Sequence, residues 1–93
     1  MNWFVYILQC ADGSLYTGIT TNVIRRISEH EAGIGARYTK GRGPFQLTYQ
    51  KPCKNRAEAS KLEMSIKSLS RTKKLALISK AAQIKPKNTQ SPC

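Results

Sequence analysis

An arginine and a histidine four residues apart are the first side chains in this sequence with a spacing suited to chemistry. Arg26 and His30 share one face of the helix that is predicted to follow the strand at residues 15–20. A single histidine near an apolar stripe more often has a structural role than a catalytic one. Packing alone would be a weaker explanation if several such residues converged on one end of a sheet, namely an arginine, a histidine, a glutamate and the two tyrosines Tyr6 and Tyr16.

Glu63 is one of only 5 acidic residues in the chain, and it lies at the edge of a helical apolar face rather than opposite it. That face is marked by Ala59 and Ile66. The first interpretation is an ion pair with Lys61 or Lys67, worth about 0.3–0.5 kcal/mol when exposed. The second is a metal ligand, because a carboxylate oxygen can hold Mg²⁺ when substrate phosphates complete the coordination. The residue types alone favour neither interpretation.

The chain is strongly basic, with 16 Lys and Arg against 5 Asp and Glu and a formal net charge of +11. Solubility alone requires a net charge of only about 2–8 in a small domain. The excess favours a polyanionic partner, and nucleic acid ranks above an anionic membrane because the Lys-rich helices lack Trp and Phe anchors. The basic residues predicted to contact a phosphate backbone, without sequence specificity, are Arg25, Arg37, Lys40, Arg42, Lys67, Arg71, Lys73 and Lys74.

Hydrophobic periodicity predicts a small single-domain α/β protein, with a three-stranded, largely antiparallel sheet flanked by three helices in the order β-β-α-β-α-α. The Asp-Gly pair in "ADGS" predicts a tight turn, and Tyr16 is expected opposite Tyr6 in the resulting hairpin. In the third helix Leu75 and Ile78 are expected to point inward, and the glycine-rich segment 32–44 is expected to be an exposed loop. The predicted strands are 3–9, 15–20 and 45–50, and the predicted helices are 22–32, 56–69 and 71–81.

The domain is predicted to span residues 1–82, and a polar, proline-containing tail at 83–93 is expected to be disordered. The apolar N-terminal residues lack a preceding basic region and a cleavage site, so they do not resemble a signal peptide, and no apolar run is long enough to span a bilayer. The 3 cysteines lack CxxC spacing and neighbouring histidines, which predicts reduced thiols rather than disulfides or a zinc site. These features predict a cytoplasmic protein without a membrane partner.

The ordered set of motifs resembles the GIY-YIG nuclease superfamily, and within it the small stand-alone bacterial proteins. The tripeptide "FVY" at 4–6 occupies the first family motif, and "YTG" at 16–18 occupies the second, with Gly18 matching its glycine. Glu63 falls at the acidic position of the later helix. The resemblance covers roughly residues 3–79, and the ordered set is specific although each motif alone is weak.

Arg26 and His30 occupy the family's arginine and histidine-or-tyrosine positions, and the resemblance implies a role for each site residue. It implies that Glu63 binds a divalent ion, Mg²⁺ or Mn²⁺, that activates water or stabilises the leaving oxygen. It also implies that Arg26 neutralises charge that grows on the phosphate. Tyr6 and Tyr16 would position or deprotonate the attacking water, with His30 as an alternative base or proton shuttle.

Three positions depart from the family pattern: Phe4 replaces glycine, Ile19 stands where lysine is common, and serines follow Glu63 where Asn or Gln is frequent. The resemblance implies a metal-dependent endonuclease that hydrolyses DNA phosphodiester bonds in repair, recombination or turnover. Its DNA could be branched or single-stranded, and a partner protein could supply specificity. The alternative is a catalytically weak module that binds DNA or RNA and keeps the fold and the basic surface.

Overall fold

The computed structural model describes residues 2–84, and their order of elements, β-β-α-β-α-α, confirms the predicted fold class. Every strand and α-helix begins within one residue of its predicted start. The predicted tail starts inside the last helix, and its part beyond residue 84 lies outside the described residues. The elements are β1 Trp3–Gln9, β2 Leu15–Thr20, α1 Val23–Glu31, a 3-10 helix Arg37–Thr39, β3 Gln46–Cys53, α2 Arg56–Lys67 and α3 Arg71–Ile84.

The strands form one antiparallel sheet in the order β2-β1-β3, so the buried β1 lies in the middle. Successive side chains of a strand point to opposite faces. Val5 and Ile7 therefore point to one face of the sheet, and Tyr6 and Leu8 point to the other. Both faces of the central strand are covered, and the two layers differ in composition.

The first face packs against α2 and α3 and forms the hydrophobic core. Burying each large apolar side chain contributes about 1.5–3 kcal/mol, which fixes the position of both helices on the sheet. In the part of the chain that the structure describes, no helix is long and apolar enough to cross a membrane. The core contains Val5, Ile7, Cys53, Ala59 and Ile66, surrounded by Trp3, Leu15, Ile19, Tyr49, Leu62, Leu77 and Ile78.

The prediction that Leu75 points inward from α3 is wrong. Leu75 is 43% exposed, whereas Leu77 and Ile78 pack against the core. Two residues correspond to about 200° of helical rotation, so a helix that directs Leu77 towards the sheet directs Leu75 away from it. The run "LALI" is apolar at every position and does not by itself specify which side is buried.

The second face of the sheet is reached by α1 and by the segment that follows it. Helix α1 begins after Asn22, whose side chain accepts a hydrogen bond from the N–H of Arg25 at 3.0 Å. Its buried residues are Val23 and His30. Helix α1 thus begins at Val23 and directs His30 towards the sheet.

The glycine-rich segment 32–44 is only in part the exposed loop that its composition predicted, because Thr39 within it is 1% exposed. Arg42 attaches this segment to the turn between β1 and β2. Its guanidinium bonds to Asp12, and its carbonyl accepts the N–H of Ala11 at 2.8 Å. Local composition cannot show such contacts, because the partners lie about 30 residues apart.

Candidate active site

Tyr6, His30 and Thr39 form a continuous buried chain of polar groups on the second face of the sheet, and each is 1% exposed. The Tyr6 hydroxyl lies 2.9 Å from Nε2 of His30, and Nδ1 of the same ring lies 2.7 Å from Oγ1 of Thr39. The Thr39 hydroxyl donates to the carbonyl of Ala36 at 2.9 Å. Because His30 has a partner at both ring nitrogens, its Nε2 is directed at the Tyr6 hydroxyl.

Further aromatic rings pack around these three hydrogen-bonded side chains and shape the site. The ring of Tyr16 lies edge-on to His30, with centroids 5.3 Å apart, and 6.3 Å from the ring of Tyr6. Tyr38 stacks on Tyr16 at 5.9 Å, and the guanidinium of Arg42 lies 4.4 Å from the centre of the Tyr38 ring. Tyr16 and Tyr38 thus form one wall of the site, which Arg42 supports.

The register of the hairpin corrects the prediction that Tyr16 lies opposite Tyr6. Gly18 lies opposite Tyr6, and Tyr16 lies opposite Leu8. The turn is centred on Asp12, whereas the predicted pair would need a turn centred one residue earlier. Residues two apart on a strand share a face, so Tyr16 still projects to the same side of the sheet as Tyr6.

Gly18 is required at its position because the Tyr6 ring lies directly against its backbone. A Cβ atom at residue 18 would lie 2.6 Å from the Tyr6 hydroxyl oxygen and 2.8 Å from Cζ of the same ring. The backbone of Gly18 does not have a positive φ. The requirement for glycine is therefore steric, and it places the backbone of β2 against the Tyr6 hydroxyl.

Replacing Gly18 with alanine is expected to lower the free energy of unfolding by about 1–3 kcal/mol, because the added methyl group overlaps the Tyr6 ring. Urea unfolding followed by circular dichroism measures this loss. In a Tyr6→Val background, which removes the ring, the same Gly18→Ala change is expected to have a much smaller effect, due to the remaining 3.1 Å approach to Cε2 of Tyr16. Equal losses in both backgrounds would show that the Tyr6 ring is not the group that excludes a side chain at residue 18.

Burial raises the pKa of the Tyr6 hydroxyl from 10.0 to about 12. The guanidinium of Arg26 opposes this rise in pKa, while Tyr16 and the carboxylate of Glu63 add to it. Tyr6 is therefore protonated at neutral pH and can take a proton from another group only as its own proton leaves. Nε2 of His30 is the atom at hydrogen-bond distance that could receive that proton.

Arg26 is partly buried near Tyr6, whereas its neighbour Arg25 extends into solvent; their side chains are 31% and 61% exposed. Glu29 accepts a hydrogen bond from Nη1 of Arg26 at 2.8 Å and lies 3.8 Å from Nε of Arg25. The bond between Arg26 and Glu29 raises the pKa of the arginine and lowers the pKa of the glutamate. Glu29 thus holds a permanently charged guanidinium beside the Tyr6 hydroxyl.

The pKa of His30 lies below its ordinary value of 6.5, because burial disfavours the charged ring and the charge of Arg26 acts in the same direction. The unfolded chain therefore binds a proton at a higher pH than the folded one, and the free energy of unfolding is expected to fall as pH falls from 7.5 to about 5.5. The urea concentration at the midpoint of unfolding, determined at several pH values across this window, measures how the free energy of unfolding changes with pH. The window stays above the ordinary pKa values of Glu29, 4.5, and Asp12, 3.8.

A His30→Gln variant serves as the control for this pH dependence, because glutamine carries a polar group of similar reach that does not titrate. Its free energy of unfolding is expected to be nearly constant over the same window. A wild-type slope that persists in the variant would assign the pH dependence to another group.

Glu63 projects from α2 with a side chain 20% exposed, and its Oε2 lies 3.3 Å from Nζ of Lys67. The ion pair named from the sequence is therefore present. It does not exclude metal binding, because Lys67 is exposed and an i,i+4 pair with an exposed partner contributes little. Among residues 2–84, no group of three or more His, Cys, Asp and Glu side chains could hold an ion. A lone carboxylate fits Mg²⁺ or Mn²⁺ only where waters and substrate phosphates supply the other oxygens.

The basic residues named from the sequence differ in whether they form ion pairs within the protein. Arg42 bonds to Asp12, and Lys67 bonds to Glu63. In the described range, all four ion pairs involve Arg25, Arg26, Arg42 or Lys67 as the cation. The remaining predicted nucleic-acid contacts, which form no ion pair between residues 2 and 84, are Arg37, Lys40, Arg71, Lys73 and Lys74.

Two residues of the site, Thr39 and Gly35, are missing from the sequence-based set. Thr39 holds Nδ1 of His30, and a Cβ atom at Gly35 would overlap that same nitrogen. The signal that could have indicated Gly35 is the glycine-rich run "AGIGA", since glycine often marks a close approach of the backbone to another group. No local pattern distinguishes Thr39.

The fold and the site define a small basic protein in which a buried tyrosine–histidine pair, an arginine and a single carboxylate are carried by a three-stranded sheet and two of its helices. The family model of the GIY-YIG catalytic domain matches residues 2–76. The chain belongs to the GIY-YIG family, a nuclease superfamily whose members act on DNA and generally depend on divalent metal.

Similar proteins carry names that give no activity. The chain is 60% identical over 77 residues to the UPF0213 protein DP2720 of Desulfotalea psychrophila, covering 82% of this chain and 70% of that protein. The solution NMR structure of the UPF0213 protein BH0048 from Bacillus halodurans is 53% identical, with a TM-score of 0.56 and coverage of 85% and 84%. The solution NMR structure of the protein EF2693 from E. faecalis is 32% identical, with a TM-score of 0.60 and coverage of 98% and 96%.

Proposed function

We propose that this protein is a cytoplasmic, divalent-metal-dependent endonuclease that hydrolyses DNA phosphodiester bonds in repair, recombination or turnover. The observation that carries the proposal is the Tyr6 hydroxyl, which lies 2.9 Å from the buried Nε2 of His30 and whose rise in pKa on burial is opposed by the nearby guanidinium of Arg26. A hydroxyl between a proton acceptor and a fixed positive charge is suited to hold a water molecule against a phosphate. A purely structural tyrosine would not need an arginine at that place.

The site residues would divide the work of hydrolysis as follows. Tyr6 binds the attacking water and takes its proton while its own proton moves to Nε2 of His30. The water oxygen forms a bond to phosphorus, the ester P–O bond breaks, and the leaving oxygen takes a proton from solvent. Arg26 neutralises the charge that develops on the non-bridging oxygens, and the ring of Tyr16 keeps bulk water away from His30.

Glu63 would hold the Mg²⁺ or Mn²⁺ ion together with the phosphate and water oxygens. Such an ion, when bound, supplies a Lewis acid that lowers the pKa of water and stabilises the leaving oxygen. The carboxylate of Glu63 adds to the rise in the pKa of the Tyr6 hydroxyl, which supports placing Glu63 in the same site as Tyr6 and Arg26.

The charge of the protein supports DNA as the substrate. The net charge is +11, and the exposed side chains of Arg37, Lys40, Arg71 and Lys73 form no ion pair within residues 2–84. Contacts of lysine and arginine with phosphates release counterions, so binding is expected to weaken steeply with salt. Contacts of this kind do not read sequence, so a branch, a single strand or a partner protein would provide selectivity.

A panel of end-labelled single-stranded, duplex and branched DNA, with matching RNA, tests the proposal. Incubation with Mg²⁺ or Mn²⁺ is expected to produce cuts within the DNA, and EDTA is expected to abolish them. Salt-sensitive binding without any cleavage would overturn the proposal in favour of a nucleic-acid-binding module. A clear preference for RNA in the same competition would overturn the choice of substrate.

A further inference from the structure

The hydroxyl of Thr39 has two close polar neighbours and only one proton to share between them. Its Oγ1 lies 2.9 Å from the carbonyl oxygen of Ala36 and 2.7 Å from Nδ1 of His30. Two oxygens at that separation favour a hydrogen atom between them, and a carbonyl oxygen has none to give. The Thr39 proton therefore lies on the bond to Ala36.

This assignment leaves Oγ1 of Thr39 as an acceptor towards His30. The proton of the neutral imidazole must then be on Nδ1, where it forms the 2.7 Å bond. Nε2 carries no proton in this tautomer, so it accepts the hydrogen bond of the Tyr6 hydroxyl at 2.9 Å. The opposite tautomer would make Nε2 a donor to Tyr6 and would leave it unable to take a proton.

Gly35 restricts which groups can approach Nδ1 of His30. A Cβ atom at residue 35 would overlap Nδ1 of His30 and would also lie 2.9 Å from Cε1. The edge of the ring that carries Nδ1 is thus packed against backbone, and Thr39 is the side chain positioned to bond there. His30 and Thr39 are both 1% exposed, so the bond is shielded from solvent.

We infer that Thr39 is a positioning residue of the nuclease site: it fixes His30 in the Nδ1–H tautomer, so that Nε2 is the acceptor for the Tyr6 proton. The inference rests on the proposed function for its catalytic consequence. As the attacking water gives its proton to the Tyr6 oxygen, the Tyr6 proton passes to Nε2, and the resulting imidazolium keeps its Nδ1–H bond to Thr39. His30 then returns its proton to solvent after the products leave.

His30 is the 1 histidine of the chain, so a nitrogen-15 spectrum of protein labelled at histidine contains a single imidazole ring. In the wild-type protein at pH 8 we expect one proton-bearing nitrogen, Nδ1, and one proton-free nitrogen, Nε2. A Thr39→Ser variant is expected to keep this pattern, because serine supplies the same hydroxyl. A Thr39→Val variant, which keeps the side-chain shape, is expected to lose it and to show a mixture of tautomers.

The kinetic comparison uses the same variants with labelled DNA. Thr39→Val is expected to lower kcat by about 10–100-fold with KM nearly unchanged, whereas Thr39→Ser is expected to stay within about threefold of wild type. A wild-type spectrum with the proton on Nε2 would overturn the inference, whether or not the variants fold. A Thr39→Val variant with an unchanged tautomer or an unchanged kcat would also overturn it. Absence of cleavage by the wild-type protein would contradict the proposed function, while the spectrum would still decide the tautomer.

Discussion

Changing Glu63 to glutamine is expected to lower Mg²⁺-dependent cleavage of DNA by about 10³-fold. Glutamine has nearly the same shape but removes the charge with which the side chain would hold the ion. Metal ions contribute several kcal/mol to a transition state that gains negative charge, and about 1.36 kcal/mol corresponds to a factor of ten in rate. Initial rates at saturating Mg²⁺, measured with the DNA that the wild-type protein cuts best, test this expectation.

Glu58→Gln is the matched control, because it removes the same charge from the same helix. Glu58 lies in the first turn of α2, where its Oε1 accepts the N–H of Lys54 at 2.6 Å, and an amide oxygen can keep this bond. Its cleavage rate is expected to change by less than about threefold. The DNA affinity of Glu63→Gln in EDTA should equal or exceed that of wild type, since the net charge rises by one. Wild-type cleavage by Glu63→Gln would show that this carboxylate does not hold the ion.

The positions of the helices could be predicted from the sequence because their signals are local. Asn22, Asn55 and Ser70 each accept a backbone N–H three residues ahead, at 3.0, 2.9 and 3.2 Å. Each of these polar caps directly precedes residues with helical spacing, so the sequence indicates both that the element is a helix and where it begins. The buried side of α3 could not be predicted, because every residue of the run that contains Leu75 is apolar. The rotation of this helix is set by the packing of Leu77 and Ile78 against the core.

The residues of the candidate site also differ in whether local or distant contacts position them, and only the first kind could be predicted. Arg26 and His30 could be placed on one face because helical spacing fixes their relation, and the alternation of β2 placed Tyr16 on the site side even though its partner was predicted wrongly. Thr39 could not be found, because its role depends on a bond to a side chain nine residues earlier. The segment that carries Thr39 is held against the β1–β2 turn by Arg42, which is 30 residues from its partner Asp12.

The second large effect is expected at Arg26, where alanine should lower kcat for DNA cleavage by about 10²–10³-fold. Arg26 offers its charge next to the Tyr6 hydroxyl, and removal of one preorganised donor from a transition state that gains charge has an effect of this size. The loss should include a contribution from Tyr6 itself. Arg26 opposes the rise in the pKa of that hydroxyl, so without the guanidinium Tyr6 becomes a still weaker proton relay.

Arg25 provides the matched control for Arg26, since it is the adjacent residue, carries the same charge and also pairs with Glu29. Its side chain is 61% exposed, so Arg25→Ala is expected to weaken DNA binding slightly and to reduce the salt dependence by about one phosphate contact, with kcat nearly unchanged. Single-turnover rates with excess protein separate kcat from binding. Equal losses of kcat in both variants would mean that Arg26 acts on DNA only through its charge at the surface. A loss confined to Arg26 would instead locate the chemistry on the second face of the sheet, where Gly18 allows Tyr6 to lie against β2.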